Sequence, residues 1–331
     1  MRGALVEVRG LAKHFPLARG VVLRRAAGAV RAVDGVSFDV RRGETLGIVG
    51  ETGCGKTTTA RMMLRLLEPT SGAIAFEGED ITRAGSARLK ALRRDMQMVF
   101  QDPYSALNPR QTAGSIIAEP FAIHGLARGG AERKRAVQGL MEQVGLNPEH
   151  YNRHPHEFSG GQRQRIGVAR AIALRPKLVV ADEPVSSLDV SIQAQILNLL
   201  RTLQRELGLT IVFIAHDLAV VRHMCDRIAV MYLGKIVELA SSDDLYARPQ
   251  HPYTAALLSA VPVPDPSARR RHREILAGDV PSPVDPPAAC RFHTRCPRAV
   301  PGHCDVQEPL LEPKRRGGAA ACHYPLAPPD V

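Results

Sequence analysis

The sequence predicts an α/β fold with a largely parallel sheet, followed by a small C-terminal module. Two observations carry this. From about residue 5 to residue 245, apolar runs of strand length alternate with helical stretches. After Arg248 the texture changes: Pro and Gly become frequent, charges bunch, and four of the six cysteines occur there. Residues 45–49, 96–100, 178–181 and 210–215 are short apolar runs and read as buried strands. Residues 61–67, 162–174 and 192–207 read as helices, and a mostly helical insertion spans roughly 112–144. The change of texture sets a domain boundary near residue 250.

At 331 residues and 44% hydrophobic content the chain can bury a full core. No run approaches the ~18 apolar residues of a membrane span. The amino terminus lacks the apolar centre of a signal peptide. The expectation is therefore a soluble, cytoplasmic protein that meets a membrane only through partners. The net charge of +11 is dispersed in small clusters at 24–25, 41–42, 93–94, 269–273 and 314–316. Aromatic residues make up 4% of the chain and Trp is absent, which argues against the stacking platforms of single-strand nucleic-acid binders. No nucleic-acid partner is expected.

The strongest motif follows the first buried strand. Gly50, Glu51, Thr52, Gly53, Cys54, Gly55, Lys56 and Thr57 form G-x-x-x-x-G-K-[ST] in a strand–loop–helix setting, with Thr58 next in the helix. Glycines let successive amides turn inward around phosphate oxygens, and the helix that follows offers its positive end. Lys56 is suited to the β- and γ-phosphates, and the Thr57 hydroxyl to Mg²⁺. Cys54 reads as a small loop filler.

The strand at 178–181 ends in Asp182 and Glu183. In phosphoryl transfer one carboxylate holds Mg²⁺ and a second polarises the attacking water. Asp182 suits the first role and Glu183 the second. The strand at 210–215 ends in His216, positioned to bond a γ-phosphate. Gln101 ends the strand at 96–100 and suits the orientation of water or Mg²⁺.

Phe158, Ser159, Gly160, Gly161 and Gln162 resemble the signature sequence of ABC ATPases, with Phe158 at a position where Leu is usual and packing is the expected role. The resemblance covers residues 4–245. It implies a P-loop ABC ATPase domain over 1–250, a RecA-like core with a helical subdomain at about 102–165, and an extension over 251–331. It further implies ATP and Mg²⁺ as ligands. Two such domains pair head to tail, each signature closing on its partner's nucleotide. Gln101 then resembles the Q-loop glutamine that contacts membrane subunits, and residues 186–189, ending in Asp189, resemble the D-loop. His216 resembles the H-loop histidine. Phe15 resembles the aromatic that stacks on adenine, a core role being the alternative.

The run 156–165, the His251-Pro252-Tyr253-Thr254 sequence and the terminal cysteines resemble the oligopeptide/dipeptide permease branch. That resemblance implies a cytoplasmic-face motor for peptide import, working with two transmembrane permease subunits and an extracytoplasmic substrate-binding protein. The segment 20–33 resembles the subtype that pairs with a different, homologous ATPase, so a heterodimer is expected. Nickel, glutathione or an antimicrobial peptide are alternative cargoes. A non-transport ABC ATPase of DNA repair or translation is a more distant reading.

Cys290, Cys296, Cys304 and Cys322 are separated by five, seven and seventeen residues. Disulfides are disfavoured in a reducing compartment, so a metal that substitutes for a core is expected. Zinc sites usually show tighter pairs. The resemblance implies a [4Fe–4S] centre with a structural role, zinc being the alternative. Cys225 stands apart and reads as a core residue.

Overall fold

The computed structural model describes residues 3–19, 25–126, 129–261, 276, 278–314 and 318–326. The basic clusters at 24, 269–273 and 315–316, and positions 20–24 of the segment 20–33, lie outside the described residues. The chain forms two compact units. The first comprises Met1–Arg41, Thr45–Arg83 and Ala215–Val331; the second comprises Arg42–Glu44 and Ala84–Ile214.

In the first unit, Ala4–Arg19 pairs antiparallel with Arg25–Arg41 on one side and Ser71–Phe76 on the other. Val6 and Val8 are buried while Glu7 and Arg9, on the opposite side, are not, so the strand has one covered face at this stretch. The same unit holds the fully buried strand Thr45–Val49, parallel to Arg227–Tyr232, which turns back antiparallel into Lys235–Ser241. That hairpin turns at Leu233 (φ 42°) and Gly234 (φ 78°), the two consecutive positive φ values of a type I′ turn. The chain's end returns to this edge, where Ala319–Ala320 pairs with Glu238 and Leu239.

In the second unit, Met96–Val99, Leu178–Asp182 and Thr210–Ala215 run parallel with Leu178–Asp182 in the middle. The runs of Leu178–Asp182 and Thr210–Ala215, buried throughout, match strands covered on both faces. Helices Ala113–His124 and Gly130–Gln143 form the expected insertion, and Gly160–Ile172 and Val190–Leu207 match the other two expected helices. The first helix after the phosphate loop departs from expectation. It spans Lys56–Met63 rather than 61–67. Its polar first turn, rich in threonine, carries no apolar periodicity, and Arg65 at φ 52° ends it early.

Candidate active site

The residues singled out by the sequence fall in both units. In the first, strand Thr45–Val49 delivers the phosphate loop to the start of helix Lys56–Met63. Gly55 is the N-cap, at φ 107° and with no side-chain cap, so the helix's first amides are not claimed by a capping side chain. A Cβ at Gly50 would lie 2.2 Å from the Met231 carbonyl oxygen, and one at Gly55 would lie 2.2 Å from that of Ala32. Glycine is required at both positions by close backbone approach. Lys56, 5% exposed, donates from Nζ to the carbonyl oxygens of Gly50 at 2.8 Å and Glu51 at 3.1 Å. The ammonium is thus held inside the loop it serves. Thr52 and Gly53 are exposed at the loop's tip, and Thr57 and Thr58 are half-buried in the first turn.

Cys54 is buried, and burial pushes its thiol up from the ordinary range despite neighbouring Lys56. This fits a loop filler rather than a reactive thiolate. Cys225 is also buried, close to the position a Gly47 Cβ would take, as a core residue would be. Phe15 is 38% exposed, with Lys13 Nζ 5.3 Å from its ring centroid. That exposure speaks against the core role. His216 is exposed just after strand Thr210–Ala215.

In the second unit, Asp182 ends its strand at 2% exposure and Glu183 follows at φ 43°. A non-glycine residue with that backbone is uncommon, and such strain concentrates at functional sites. The Glu183 amide donates to the Ile214 carbonyl at 3.0 Å. Gln101 Nε2 donates to Glu183 Oε2 at 2.9 Å. The structure therefore joins two residues that the sequence offered separately, and Gln101 orients the carboxylate.

The signature motif forms a capping box. Ser159 Oγ accepts from the Gln162 amide at 3.3 Å, and Gln162 Oε1 accepts from the Ser159 amide at 3.0 Å. Gly161 lets the helix approach Ile192, whose Cγ2 would be 2.5 Å from a Cβ there; Gly160 lies beside Leu188. Phe158 is 3% exposed, the packing position expected. Asp189 is the exposed N-cap of helix Val190–Leu207.

Sequence reasoning missed what the C-terminal region does. Phe292, between the first two clustered cysteines, is buried against Tyr232, Tyr253 and His251, at centroid distances of 5.3, 5.4 and 5.6 Å. Arg291 pairs with Asp34 and donates to the Leu233 carbonyl. The module is thus anchored by an aromatic side chain and an ion pair within the first unit. A lone Phe between cysteines gives no periodic signal, so only its contacts reveal the role.

Helix Pro252–Ser259 explains the His-Pro-Tyr-Thr sequence. Buried Glu238 accepts the amides of Gln250 and His251, both at 2.8 Å, and His251 Nδ1 accepts the Tyr253 amide at 3.1 Å. Burial depresses the His251 imidazole to about 3. Its folded value lies below the ordinary 6.5, so its contribution to stability is complete above pH ~6.5. That contribution is lost as pH falls toward 3, at about 1.4 kcal/mol per pH unit. Urea midpoints across this window should fall less steeply in His251→Asn, which keeps a capping acceptor but cannot titrate. Subtracting the two curves isolates His251 from Glu238, whose carboxyl burial pushes up.

Two of the four clustered thiols, Cys290 and Cys322, are shifted chiefly by burial and in part by their cysteine neighbours. Burial first, then Cys304 and Cys296, push Cys290 up to about 11. Burial first, then in part Cys290, Cys296 and Cys304, push Cys322 up to about 11. The Cys290 amide also donates to the Cys304 carbonyl at 3.1 Å. Among the described residues, however, no three His, Cys, Asp or Glu side chains are arranged to hold a metal ion. No helix among them is long and apolar enough to cross a membrane.

Residues 33–186 match the ABC transporter family, and residues 237–304 match the C-terminal region of oligopeptide/dipeptide transporters. The oligopeptide transport ATP-binding protein AppF of Bacillus subtilis is 53% identical over 321 residues, 96% of this chain and 97% of that protein. A Brucella ovis protein, provisionally named for peptide import, is 54% identical over 318 residues, 96% of this chain and 97% of its own length. Among solved structures, the ATP-binding cassette MJ0796 in a dimeric post-hydrolysis state with ADP and Pi aligns at TM-score 0.64 and 28% identity. The alignment covers 72% of this chain and 98% of that one. With its phosphate loop, signature capping box and oligopeptide-type C-terminal region, the chain belongs to the ABC transporter family as an ATP-hydrolysing, ATP-binding subunit.

Proposed function

We propose that this chain drives the uptake of di- and oligopeptides across the cytoplasmic membrane from its cytoplasmic face. The observation that carries the reading is the pairing of an ABC ATPase region with an oligopeptide/dipeptide transporter C-terminal region in one chain. The likeness to AppF along nearly the whole length of both chains supports it.

In this reading Lys56 and the phosphate-loop amides bind the ATP phosphates, and Phe15 stacks on the adenine. Thr57 and Asp182 hold Mg²⁺, directly or through water, with Gln101 as a further ligand; the ion's contribution is to neutralise phosphate charge. The buried carboxylate of Asp182 suits a cation. Glu183, oriented by Gln101, takes the proton of the attacking water. His216 bonds the γ-phosphate. Ser159, Gly160, Gly161 and Gln162 close on the nucleotide of a homologous ATPase subunit, with Asp189 at that interface, and we favour a heterodimer. Two membrane permease subunits and an extracytoplasmic binding protein complete the assembly. Functionally, residues 1–250 are the ATPase domain, with a helical subdomain at about 102–165, and residues 251–331 are the extension.

Deleting the gene should abolish uptake of labelled tri- to hexapeptides, and the wild-type gene should restore it. Intact peptide uptake with lost nickel or glutathione uptake would overturn the cargo assignment.

We also propose that Cys290, Cys296, Cys304 and Cys322 hold a [4Fe–4S] centre, which when bound supplies covalent cross-links in place of a larger core. The match of residues 237–304, which hold the first three of these cysteines, to the oligopeptide/dipeptide transporter C-terminal region supports this, as does the hydrogen bond from the Cys290 amide to the Cys304 carbonyl. Anaerobic protein should show a broad shoulder near ~400 nm and about four irons per chain. Stoichiometric zinc without iron would overturn the assignment.

A further inference from the structure

We propose that Arg295 is a positioning residue for nucleotide binding: reaching the phosphate loop from the C-terminal region, it neutralises the Glu51 carboxylate, while the Tyr253 hydroxyl holds the amide of the same residue. The inference rests on the ATP-binding reading above.

Glu51 is the second residue of the loop, and three of its groups are held. Its amide donates to the Tyr253 hydroxyl at 3.0 Å. Its carboxylate receives both arms of the Arg295 guanidinium, Nη1 to Oε2 at 3.0 Å and Nη2 to Oε1 at 3.4 Å. Its carbonyl accepts from Lys56 at 3.1 Å. The loop lysine and the C-terminal region therefore share one residue as their common anchor.

The gripping side chains are well fixed. Arg295 is 8% exposed at its side chain and lies 5.9 Å from the Tyr232 ring centroid. Tyr253 is fully buried, 4.7 Å from Tyr232, and burial raises its phenol so that the hydroxyl stays protonated. Arg295 sits on a chain of turns linking the first two clustered cysteines. The His293 amide donates to Cys290, that of Arg295 to Phe292, and that of Cys296 to His293. Buried Phe292 fastens those turns to the tyrosines.

The electrostatic consequence is specific. A phosphate loop must attract a polyanion, yet this one carries a carboxylate at its second position. Paired with Arg295, that carboxylate adds little negative potential. Unpaired, in a partly buried setting, it would repel the triphosphate and lose its fixed direction. Because coupling at equilibrium is reciprocal, nucleotide binding should in turn steady the turns that carry Arg295.

The test is the MgATP dissociation constant of the full chain, measured for wild type, Arg295→Ala, Arg295→Lys and the Glu51→Gln/Arg295→Ala double variant. Arg295→Ala is expected to weaken MgATP about tenfold, the scale of a charge-assisted pair. Arg295→Lys, which keeps the charge and loses the fork, should weaken it no more than about threefold. The double variant, with no carboxylate left to repel phosphate, should return to within about threefold of wild type. Steady-state assays should show the Arg295→Ala change in KM with kcat largely kept.

A double variant as weak as Arg295→Ala would make the role merely structural and overturn the proposal. So would an unchanged affinity in Arg295→Ala. If Arg295→Ala does not fold, Arg295→Lys and the double variant decide alone, and a tenfold loss in the double variant overturns the proposal. Wild-type protein that fails to bind MgATP would overturn the ATP reading itself, an outcome distinct from either.

Discussion

Glu183→Gln should lower steady-state ATP turnover by two to four orders of magnitude and leave MgATP affinity within about threefold of wild type. The range is the usual worth of a positioned general base. Gln is close to isosteric, and its amide oxygen still accepts the hydrogen bond that Gln101 donates to Glu183 at 2.9 Å. The residue sits at φ 43°, and Gln bears the same backbone strain as Glu, so the substitution changes chemistry more than conformation. With binding kept and hydrolysis blocked, the ATP-bound form of the proposed heterodimer should accumulate on gel filtration when the homologous partner subunit is present. Turnover above about a tenth of wild type would remove Glu183 from the role of base and shift attention to another group near the scissile phosphate.

Gly55→Ala should weaken MgATP about a hundredfold, the scale expected when a binding loop is displaced by about an ångström. Two independent costs act there. The backbone is at φ 107°, which L residues rarely adopt, and the new methyl would meet the Ala32 carbonyl at 2.2 Å. Backbone on that side cannot swing away as a side chain would. Gly53→Ala supplies the control. Gly53 is at φ 83° with nothing within 4 Å of a Cβ, so only the conformational cost of ~1–2 kcal/mol applies. Its effect on affinity should be several-fold. Equal losses in the two variants would mean that close approach is not what makes Gly55 necessary. Calorimetric titration with a non-hydrolysable ATP analogue separates these outcomes without relying on turnover.

Both predictions concern motifs legible in the primary structure, while the Arg295 prediction does not. Tyr253 and Arg295 reach Glu51 from 202 and 244 positions away along the chain. A contact at such separation leaves no local periodicity or spacing to read. The histidine of His-Pro-Tyr-Thr resembled a branch marker, but its work as a helix cap below a buried glutamate depends on Glu238 twelve and thirteen positions before the amides it holds. The start of helix Lys56–Met63 was likewise hidden, because its first turn is polar and its regularity comes from the loop that launches it.

The sequence by itself determined the elements whose causes are contiguous. These are the phosphate loop, where glycines and Lys56 must stand in fixed order, and the buried strands, where continuous apolar runs suffice. The signature helix joins them, since its cap and its N3 partner are three residues apart. Tertiary structure alone decided which distant groups share a charge or a hydrogen bond. It joined Gln101 to Glu183, turned Phe292 into an anchor, and set Arg295 against Glu51. The physical reason is that helix caps, glycine turns and apolar runs act through neighbouring residues, whereas an ion pair acts through space and reveals its partner only when the chain is folded.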